Sequence, residues 1–301
     1  MEVEGFSTLV RLGSGGLGDV YRATRLSTGA PVAVKVLRDW SDSSTSWHRA
    51  RRELRALVGL QGHPNVVHVE EVVELDGVPL LIMEYAPGGS VADLMTNTGA
   101  MPFPDTVLIG EQTAAALTAS HELGIIHLDI KPQNLLIGAF GQVKVCDFGI
   151  AALTQDEQFK TRTSAASFRY ASPEQLNDDP DIGPAADLYA LGATLAHLVN
   201  GTPLPVITGD ATRTARPFTL TPTPDIATHT TTAFEDLINH CLSVDPTRRP
   251  TAHDTRTQLA TIATQLGDQR THQLPITTPP APGATDGDVV PRVVTAPTPP
   301  P

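Results

Sequence analysis

The stretch HLDIKPQN, residues 127 to 134, brings a histidine, a carboxylate, a lysine and an amide together on one short piece of chain. Pro132 prevents this stretch from forming one continuous helix, so the pattern predicts a turn. On that turn, Asp129 is suited to accept a proton from an attacking hydroxyl group, and Lys131 is suited to neutralise a phosphoryl group during its transfer. Asn134 offers an amide oxygen to a metal ion.

The segment that follows adds a second acidic residue. VKVCDFG, residues 143 to 149, reads as a strand that ends at Asp147, and the glycine after Phe148 predicts a turn. A carboxylate on such a turn suits a complex of magnesium with phosphate. Asp147 is therefore a second candidate for binding a metal ion.

A glycine-rich segment lies near the start of the chain. LGSGGLGDV, residues 12 to 20, has glycines at positions 13, 15 and 18, which allow backbone amides to approach a polyphosphate. A glycine-rich hairpin without a ligand is the alternative. A Rossmann dinucleotide site is disfavoured, because it needs a helix at the third glycine, whereas DVYRATR continues as a strand. Lys35 ends the apolar strand PVAVK, where an ammonium group requires anionic partners, either a triphosphate or a carboxylate.

Glu53 is the carboxylate that we expect to pair with Lys35. It lies on the apolar side of a helix predicted over residues 46–62, SWHRARRELRALVGLQG. The alternative is a surface glutamate whose partners are the neighbouring residues Arg51, Arg52 and Arg55.

The pattern along the chain predicts two lobes of different class, and hence an α+β fold. Aliphatic and β-branched runs separated by turn residues occupy positions 9–85, whereas helical periodicity dominates after residue 100. Residues 1–85 are therefore predicted to form a small β-rich lobe with one helix, and residues 86–268 a larger, mainly helical lobe. Residues 269–301 are rich in Pro and Thr and are predicted to form a disordered tail.

The charge balance argues against a nucleic-acid or anionic-membrane partner. The 33 Asp and Glu residues outnumber the 21 Lys and Arg residues, for a formal net charge of −12, whereas either partner would require a basic face. The two cysteines are too few for a disulfide framework, and no segment reads as a signal peptide or a membrane span. We therefore expect a cytoplasmic protein.

Four motifs follow one another in an order that resembles the signature set of protein kinases: the glycine-rich loop, then VAVK, then H-x-D-x-K-P-x-N, and finally D-F-G. The resemblance covers residues 6–265, and LGSGGLGDVYRA, HPNVV and YASPEQL are similar to the eukaryotic-type (Hanks-type) serine/threonine kinases of bacteria. It implies the bilobal kinase fold, ATP and Mg²⁺ (or Mn²⁺) as cofactors, and protein substrates. Dimerisation, which some relatives show, stays open.

The functional positions of the family transfer to this chain residue by residue. The resemblance makes Asp129 the catalytic base and Lys131 the cation beside the transferred phosphate. It makes Lys35, paired with Glu53, a ligand of the α and β phosphates. The implied metal ligands are Asn134 and Asp147, and the implied nucleotide-binding residues are Leu12, Gly13, Gly15, Gly18, Val20, Ala33, Lys35, Met83, Glu84, Ala86 and Leu136.

The Ser-Pro-Glu motif and the residue before Asp129 concern regulation. The motif Ser-Pro-Glu resembles the end of an activation segment, and Glu174 within it would pair with Arg249. The family often has an arginine before the catalytic aspartate, where it pairs with a phosphate on the activation loop, but this chain has Leu128. We therefore hypothesise a kinase that does not depend on activation-loop phosphorylation in the usual way.

Three functional classes fit these motifs. The favoured class is a serine/threonine protein kinase that phosphorylates itself and a cytosolic protein. A pseudokinase scaffold is the alternative, although every catalytic position carries the expected residue type. A small-molecule phosphotransferase has the same H-x-D-x-x-x-x-N spacing, but the Pro-Glu motif and the long activation segment argue against it.

Overall fold

The computed structural model describes residues 3–15, 18–37, 57–75, 78–148, 167–177, 179–205, 217–220 and 225–276. These residues form two compact units, each with its own hydrophobic core. Described residues up to 37, together with 70–85, form a β-sheet unit, and residues 57–69 and 86–276 form a mainly helical unit. The predicted α+β class is therefore confirmed.

The described part of the first unit is a five-stranded sheet with the strand order β1-β2-β3-β5-β4. Its strands are β1 (Val10–Gly15), β2 (Gly18–Thr24), β3 (Pro31–Leu37), β4 (Val69–Leu75) and β5 (Val78–Glu84). Alternation of side chains along β3 places Val32 and Val34 in the core of the unit, with Leu80 and Ile82 of β5. Ala33 and Lys35 consequently lie on the opposite face of the sheet.

The described part of the second unit contains six α-helices and a short hairpin. The helices are α1 (Val91–Thr98), α2 (Phe103–Glu122), α3 (Pro173–Leu176), α4 (Ala185–Asn200), α5 (Thr228–Cys241) and α6 (Ala252–Gln265). The hairpin consists of β6 (Leu135–Ile137) and β7 (Val143–Val145). Phe103 of α2 packs edge-to-face on Phe234 of α5, with ring centroids 5.0 Å apart, at the centre of a core to which all the longer helices contribute.

Capping residues begin several of these helices where the sequence supplies them. Ser90 precedes α1 and accepts a hydrogen bond from the N–H of Asp93, whose carboxylate accepts from the N–H of Ser90 in return. This reciprocal pair is a capping box, which satisfies backbone donors that the first turn leaves open. None of the described helices combines the length and the apolar character that a membrane crossing requires.

The predicted lobe boundary at residue 85 needs one correction, because residues 57–69 belong to the helical unit. Asn65 donates its side-chain amide to the carbonyl oxygen of Val143 at 2.9 Å, and Val66 forms a parallel bridge with Val145. The helix predicted over residues 46–62 falls outside the described residues, except for a 3-10 turn at Leu57–Leu60.

The predicted disordered tail begins too early at residue 269, because residues 269–276 are part of the helical unit and pack within it. Leu274 is buried, and its N–H donates to the carbonyl oxygen of Gly141 at 2.9 Å. Gly141 has a φ of 73°, and a β-carbon there would meet the backbone of Leu274, so this close approach requires glycine. Thr271 also donates its hydroxyl to Asp105 at 2.6 Å. Residues 277–301 lie outside the described residues.

Candidate active site

The β6–β7 hairpin positions the two residues predicted to bind metal. Asn134 ends a 3-10 turn directly before β6, and Asp147 follows β7 by two residues. The N–H of Cys146 donates to the carbonyl oxygen of Asn134 at 3.0 Å, so Asn134 and Asp147 lie together at the open end of the hairpin. Asp147 has a φ of 65°, which is unusual for a residue other than glycine.

Asp129 is held by the two polar residues that follow it in the loop. The ammonium group of Lys131 donates to both carboxylate oxygens, at 2.9 and 2.7 Å. The side-chain amide of Asn134 donates to the carbonyl oxygen of Asp129 at 2.7 Å and to its carboxylate at 2.9 Å. The structure therefore brings together the acid, the cation and the amide that the sequence predicted, while 36% of the Asp129 side chain stays exposed.

Buried His127 connects this loop to the strand that leads to Asp147. Its Nε2 lies 2.8 Å from the carbonyl oxygen of Cys146, so Nε2 is the donor, and its Nδ1 accepts from the N–H of Asp129 at 3.2 Å. One tautomer, protonated on Nε2, satisfies both bonds. The ring also packs edge-to-face on Phe148.

Asp187, in the first turn of α4, fixes the backbone at the start of the loop. The fully buried carboxylate accepts from the N–H of His127 at 2.8 Å and from the N–H of Leu128 at 2.7 Å. Its Oδ2 also lies 2.8 Å from Nε2 of His121 at the end of α2. The sequence around His121 does not indicate this contact, because it crosses 66 residues of chain.

Gln175 is a second residue that sequence analysis did not assign to the site. Its side-chain amide donates to the carbonyl oxygen of Leu128 at 2.9 Å. The pattern S-x-x-Q of Ser172 and Gln175 predicts a helix start through a capping box, and the structure shows one at α3. The capping pattern gives no sign of the contact with Leu128.

In the sheet unit, four of the residues predicted to bind nucleotide, Val20, Ala33, Lys35 and Met83, share one face. Val20 lies opposite Lys35 in the β2–β3 pair, and Ala33 lies opposite Met83 in the β3–β5 pair. Directly opposite residues point to the same side of a sheet, so Lys35, which is 3% exposed, shares its face of the sheet with apolar residues. Glu84, which follows Met83 at the end of β5, points its side chain to the other face of the sheet.

The predicted phosphate loop is the β1–β2 hairpin. Gly13 and Gly15 lie in β1, Gly18 begins β2, and a register irregularity between Arg11 and Gly13 leaves Leu12 half exposed. Ala86 and Leu136 belong to the helical unit, where Leu136 bridges to Ser90. Glu53 and the residues between Gly149 and Ala166 lie outside the described residues.

A buried ion pair anchors the segment that contains the Ser-Pro-Glu motif, residues 172–174. Arg249 and Glu174 form a bidentate pair, with distances of 2.5 and 2.8 Å. Burial is the largest single influence on the pKa of Glu174 and would raise it, but the hydrogen bonds and charge of Arg249, together with a backbone hydrogen bond and one from Ser172, hold this pKa below its ordinary value. The predicted pairing of these two residues is therefore seen in the structure. Arg249 also donates to the carbonyl oxygens of Ala185 and Ser243, at 2.9 and 2.8 Å.

Tyr170 anchors the same segment to α4. Burial raises the pKa of Tyr170 to about 12, so its hydroxyl keeps the proton that it donates to Nδ1 of His197, 2.7 Å away. Burial, followed by the positive charge of Arg169, lowers the pKa of His197 and favours the neutral ring that accepts this bond.

Comparisons with known proteins identify the family. A model of the protein kinase domain matches residues 6–259. Serine/threonine-protein kinase PknK of Mycobacterium bovis is 37% identical over 198 residues, which cover 65% of this chain and 18% of that protein. PrkC of Bacillus subtilis is 35% identical over 192 residues, which cover 63% of this chain and 29% of that protein. This chain thus spans less than a third of the length of either relative.

A solved structure supports the same fold. The crystal structure of the Mycobacterium tuberculosis PknI kinase domain aligns with a TM-score of 0.64 and 23% sequence identity, covering 88% of this chain and 96% of that one. The resemblance inferred from the motifs is thereby confirmed: the chain belongs to the protein kinase family, alongside the eukaryotic-type serine/threonine kinases of bacteria.

Proposed function

We propose that this chain is a serine/threonine protein kinase that transfers the γ-phosphate of ATP to Ser or Thr hydroxyl groups of itself and of a protein target. One observation carries the proposal. The Asp129 carboxylate is held by both Lys131 and Asn134 and still exposes 36% of its side chain. A catalytic base that must meet a substrate hydroxyl requires this combination of fixed position and access.

Asp129 orients the acceptor hydroxyl and accepts its proton. An ionised carboxylate has about four acceptor positions, and the bonds from Lys131 and Asn134 use three of them. One position therefore stays available for the substrate. Lys131, whose ammonium group already lies beside the base, neutralises charge on the phosphoryl group during transfer.

Asn134 and Asp147 fit the magnesium ion that kinases of this family generally use with ATP. The hydrogen bonds of Asn134 employ its NH₂ group, which leaves Oδ1 as the atom suited to a hard cation. Within the described ranges, no cluster of three or more His, Cys, Asp or Glu side chains could hold a metal. This fits an ion that shares its ligands with the substrate phosphates, whose negative charge it offsets when bound.

Lys35 and the glycine-rich hairpin fit the nucleotide. Lys35 is buried on an apolar face of the sheet, where its positive charge favours an anionic ligand such as the α and β phosphates. Val20, Ala33 and Met83 on the same face suit the adenine ring. Glu53 stays the proposed partner of Lys35, on the strength of its place in the sequence.

The test is incubation of the purified chain with ATP and Mg²⁺, beside the variants Asp129→Asn and Asp147→Ala, with a generic protein substrate present. Mass spectrometry should locate phospho-Ser or phospho-Thr in the wild type, and each variant should lose about 100-fold or more of the rate. Nucleotide binding and melting temperature serve as folding controls. A wild type that binds ATP but transfers nothing would instead support a pseudokinase scaffold, and an Asp129→Asn variant with a normal rate would refute the assigned base.

A further inference from the structure

We propose that Gln175 is a positioning residue of the phosphotransfer reaction, and that its side-chain amide holds the catalytic loop, residues 127–134, in place without a phosphate on the activation segment. The inference rests on the proposed kinase function. Gln175 is the third residue of α3, directly after the Ser-Pro-Glu motif. It lies outside the set of residues that the motifs assign to catalysis.

Both ends of the Gln175 amide are engaged. Its Nε2 donates to the carbonyl oxygen of Leu128 at 2.9 Å, and its Oε1 accepts from the N–H of Ser172 at 3.0 Å. Rotation of the amide by 180° would oppose oxygen to oxygen and nitrogen to nitrogen, so the two partners fix one orientation. The side chain therefore connects the catalytic loop to the segment that Arg249 locks.

The residue that Gln175 holds is strained. Leu128 has a φ of 63°, a region that is unfavourable for a residue with a β-carbon. Such a conformation persists only where the surroundings determine it from several sides. The N–H of Leu128 donates to Asp187 and its carbonyl oxygen accepts from Gln175, so both of its backbone polar groups are fixed.

Fixing Leu128 also fixes the catalytic base. Asp129 is the next residue, so a change in the backbone at Leu128 would move its carboxylate relative to the substrate hydroxyl. The aliphatic side chain of Leu128 cannot form an ion pair with a phosphate. The neutral amide of Gln175 replaces such a pair with a hydrogen bond that is present in the unphosphorylated chain.

The experiment compares dephosphorylated wild-type enzyme with Gln175→Glu. The new carboxylate keeps the bond to the N–H of Ser172 but places an oxygen against the carbonyl of Leu128, which removes a donor. We expect kcat to fall about tenfold, equivalent to ~1.4 kcal/mol, with KM for ATP and melting temperature close to wild type. Asn177→Asp is the matched control, because it adds the same charge at an exposed position two residues away and should leave kcat unchanged.

A pH profile separates positioning from a general structural role. When the introduced carboxyl group is protonated, it again donates to the Leu128 carbonyl, so the ratio of variant to wild-type kcat should rise on acidification. Equal kcat for Gln175→Glu and Asn177→Asp, or a lower melting temperature with normal kcat, would overturn the proposal. So would loss of wild-type activity on phosphatase treatment.

The two proposals fail in distinguishable ways. If the wild type transfers no phosphate, the kinase function fails, and hydrogen exchange of residues 127–131 decides the role of Gln175 instead. Faster exchange in Gln175→Glu, confined to this segment, would support the hold on Leu128. Unchanged exchange there would count against it.

Discussion

Gly18 begins β2, and a β-carbon built on it would overlap the carbonyl oxygen of Val36 in the adjacent strand. The clash involves backbone on both sides, so neither strand can relieve it by rotating a side chain. We therefore expect Gly18→Ala to destabilise the protein by about 1–3 kcal/mol, the usual range for overpacking. Denaturant unfolding measures this loss.

Gly13 in the same hairpin provides the matched control, because a β-carbon there meets nothing within 4 Å. We expect Gly13→Ala to leave the free energy of unfolding within ~0.5 kcal/mol of wild type. Equal losses in both variants would show that the hairpin rejects side chains in general, and that the contact with Val36 is not the cause.

At the level of single residues, the sequence predicted the acid, the cation and the amide of the catalytic loop, because all three lie within one short motif. Gln175 escaped prediction for a physical reason. Its contact with Leu128 crosses 47 residues, and only the packing of α3 against the loop creates it. The bonds of Asp187 to His127 and Leu128 could not be predicted for the same reason, because they cross 60 and 59 residues of chain.

Among the elements, the segment that follows α6 gives a stability prediction. Leu274 is 2% exposed in the core of the helical unit, whereas Ile276, two residues later, is 47% exposed. We expect Leu274→Ala to lower the free energy of unfolding by about 2–4 kcal/mol. Ile276→Ala should change it by less than ~0.5 kcal/mol. Thermal or chemical unfolding of the two variants tests this, and similar values would mean that the segment contributes little to the fold.

The sequence indicated which segments form strands and which form helices, but it did not indicate which segments pair with one another. The run NVVHVEEVVEL reads as one strand, but in the structure β4 begins only at Val69. Upstream of it, Val67 donates its N–H to Val145 of the helical unit at 2.9 Å. Apolar alternation indicates an extended backbone, but it does not specify which strand will pair with it. The tail boundary was placed too early for a related reason, because Leu274 is a single apolar residue in a segment rich in Pro and Thr, and the sequence does not show that it is buried.

For the molecule as a whole, two histidines predict lower stability in mild acid. Burial, then the charges of Arg256 and Lys144, lowers the pKa of His63, and His197 is shifted in the same direction. The unfolded chain therefore binds protons at these positions first, since an unperturbed histidine titrates near pH ~6.5. Their contribution to stability is full above that pH and is lost as pH falls towards the lower folded pKa values. The pKa of Glu174 is also held below its ordinary value, so stability falls further at still lower pH, where this carboxylate is protonated.

Urea unfolding at neutral pH and at successively lower pH values checks this dependence. We expect His197→Gln to show a shallower decline in stability than the wild type, because the variant lacks one of the shifted groups. His253→Gln, at an exposed position, should follow the wild-type curve. Parallel curves for all three proteins would show that His197 does not contribute to the acid sensitivity.

The Glu174–Arg249 pair also has a consequence for biosynthesis. The two residues are 75 positions apart, which a ribosome needs roughly 4–15 s to span at ~5–20 residues per second. Throughout that interval the nascent chain already contains the catalytic loop, but Glu174 cannot yet pair with Arg249. Every chain that ends before Arg249 lacks this lock, so translation itself delays the final arrangement of the Ser-Pro-Glu segment until nearly all of the kinase domain has been made.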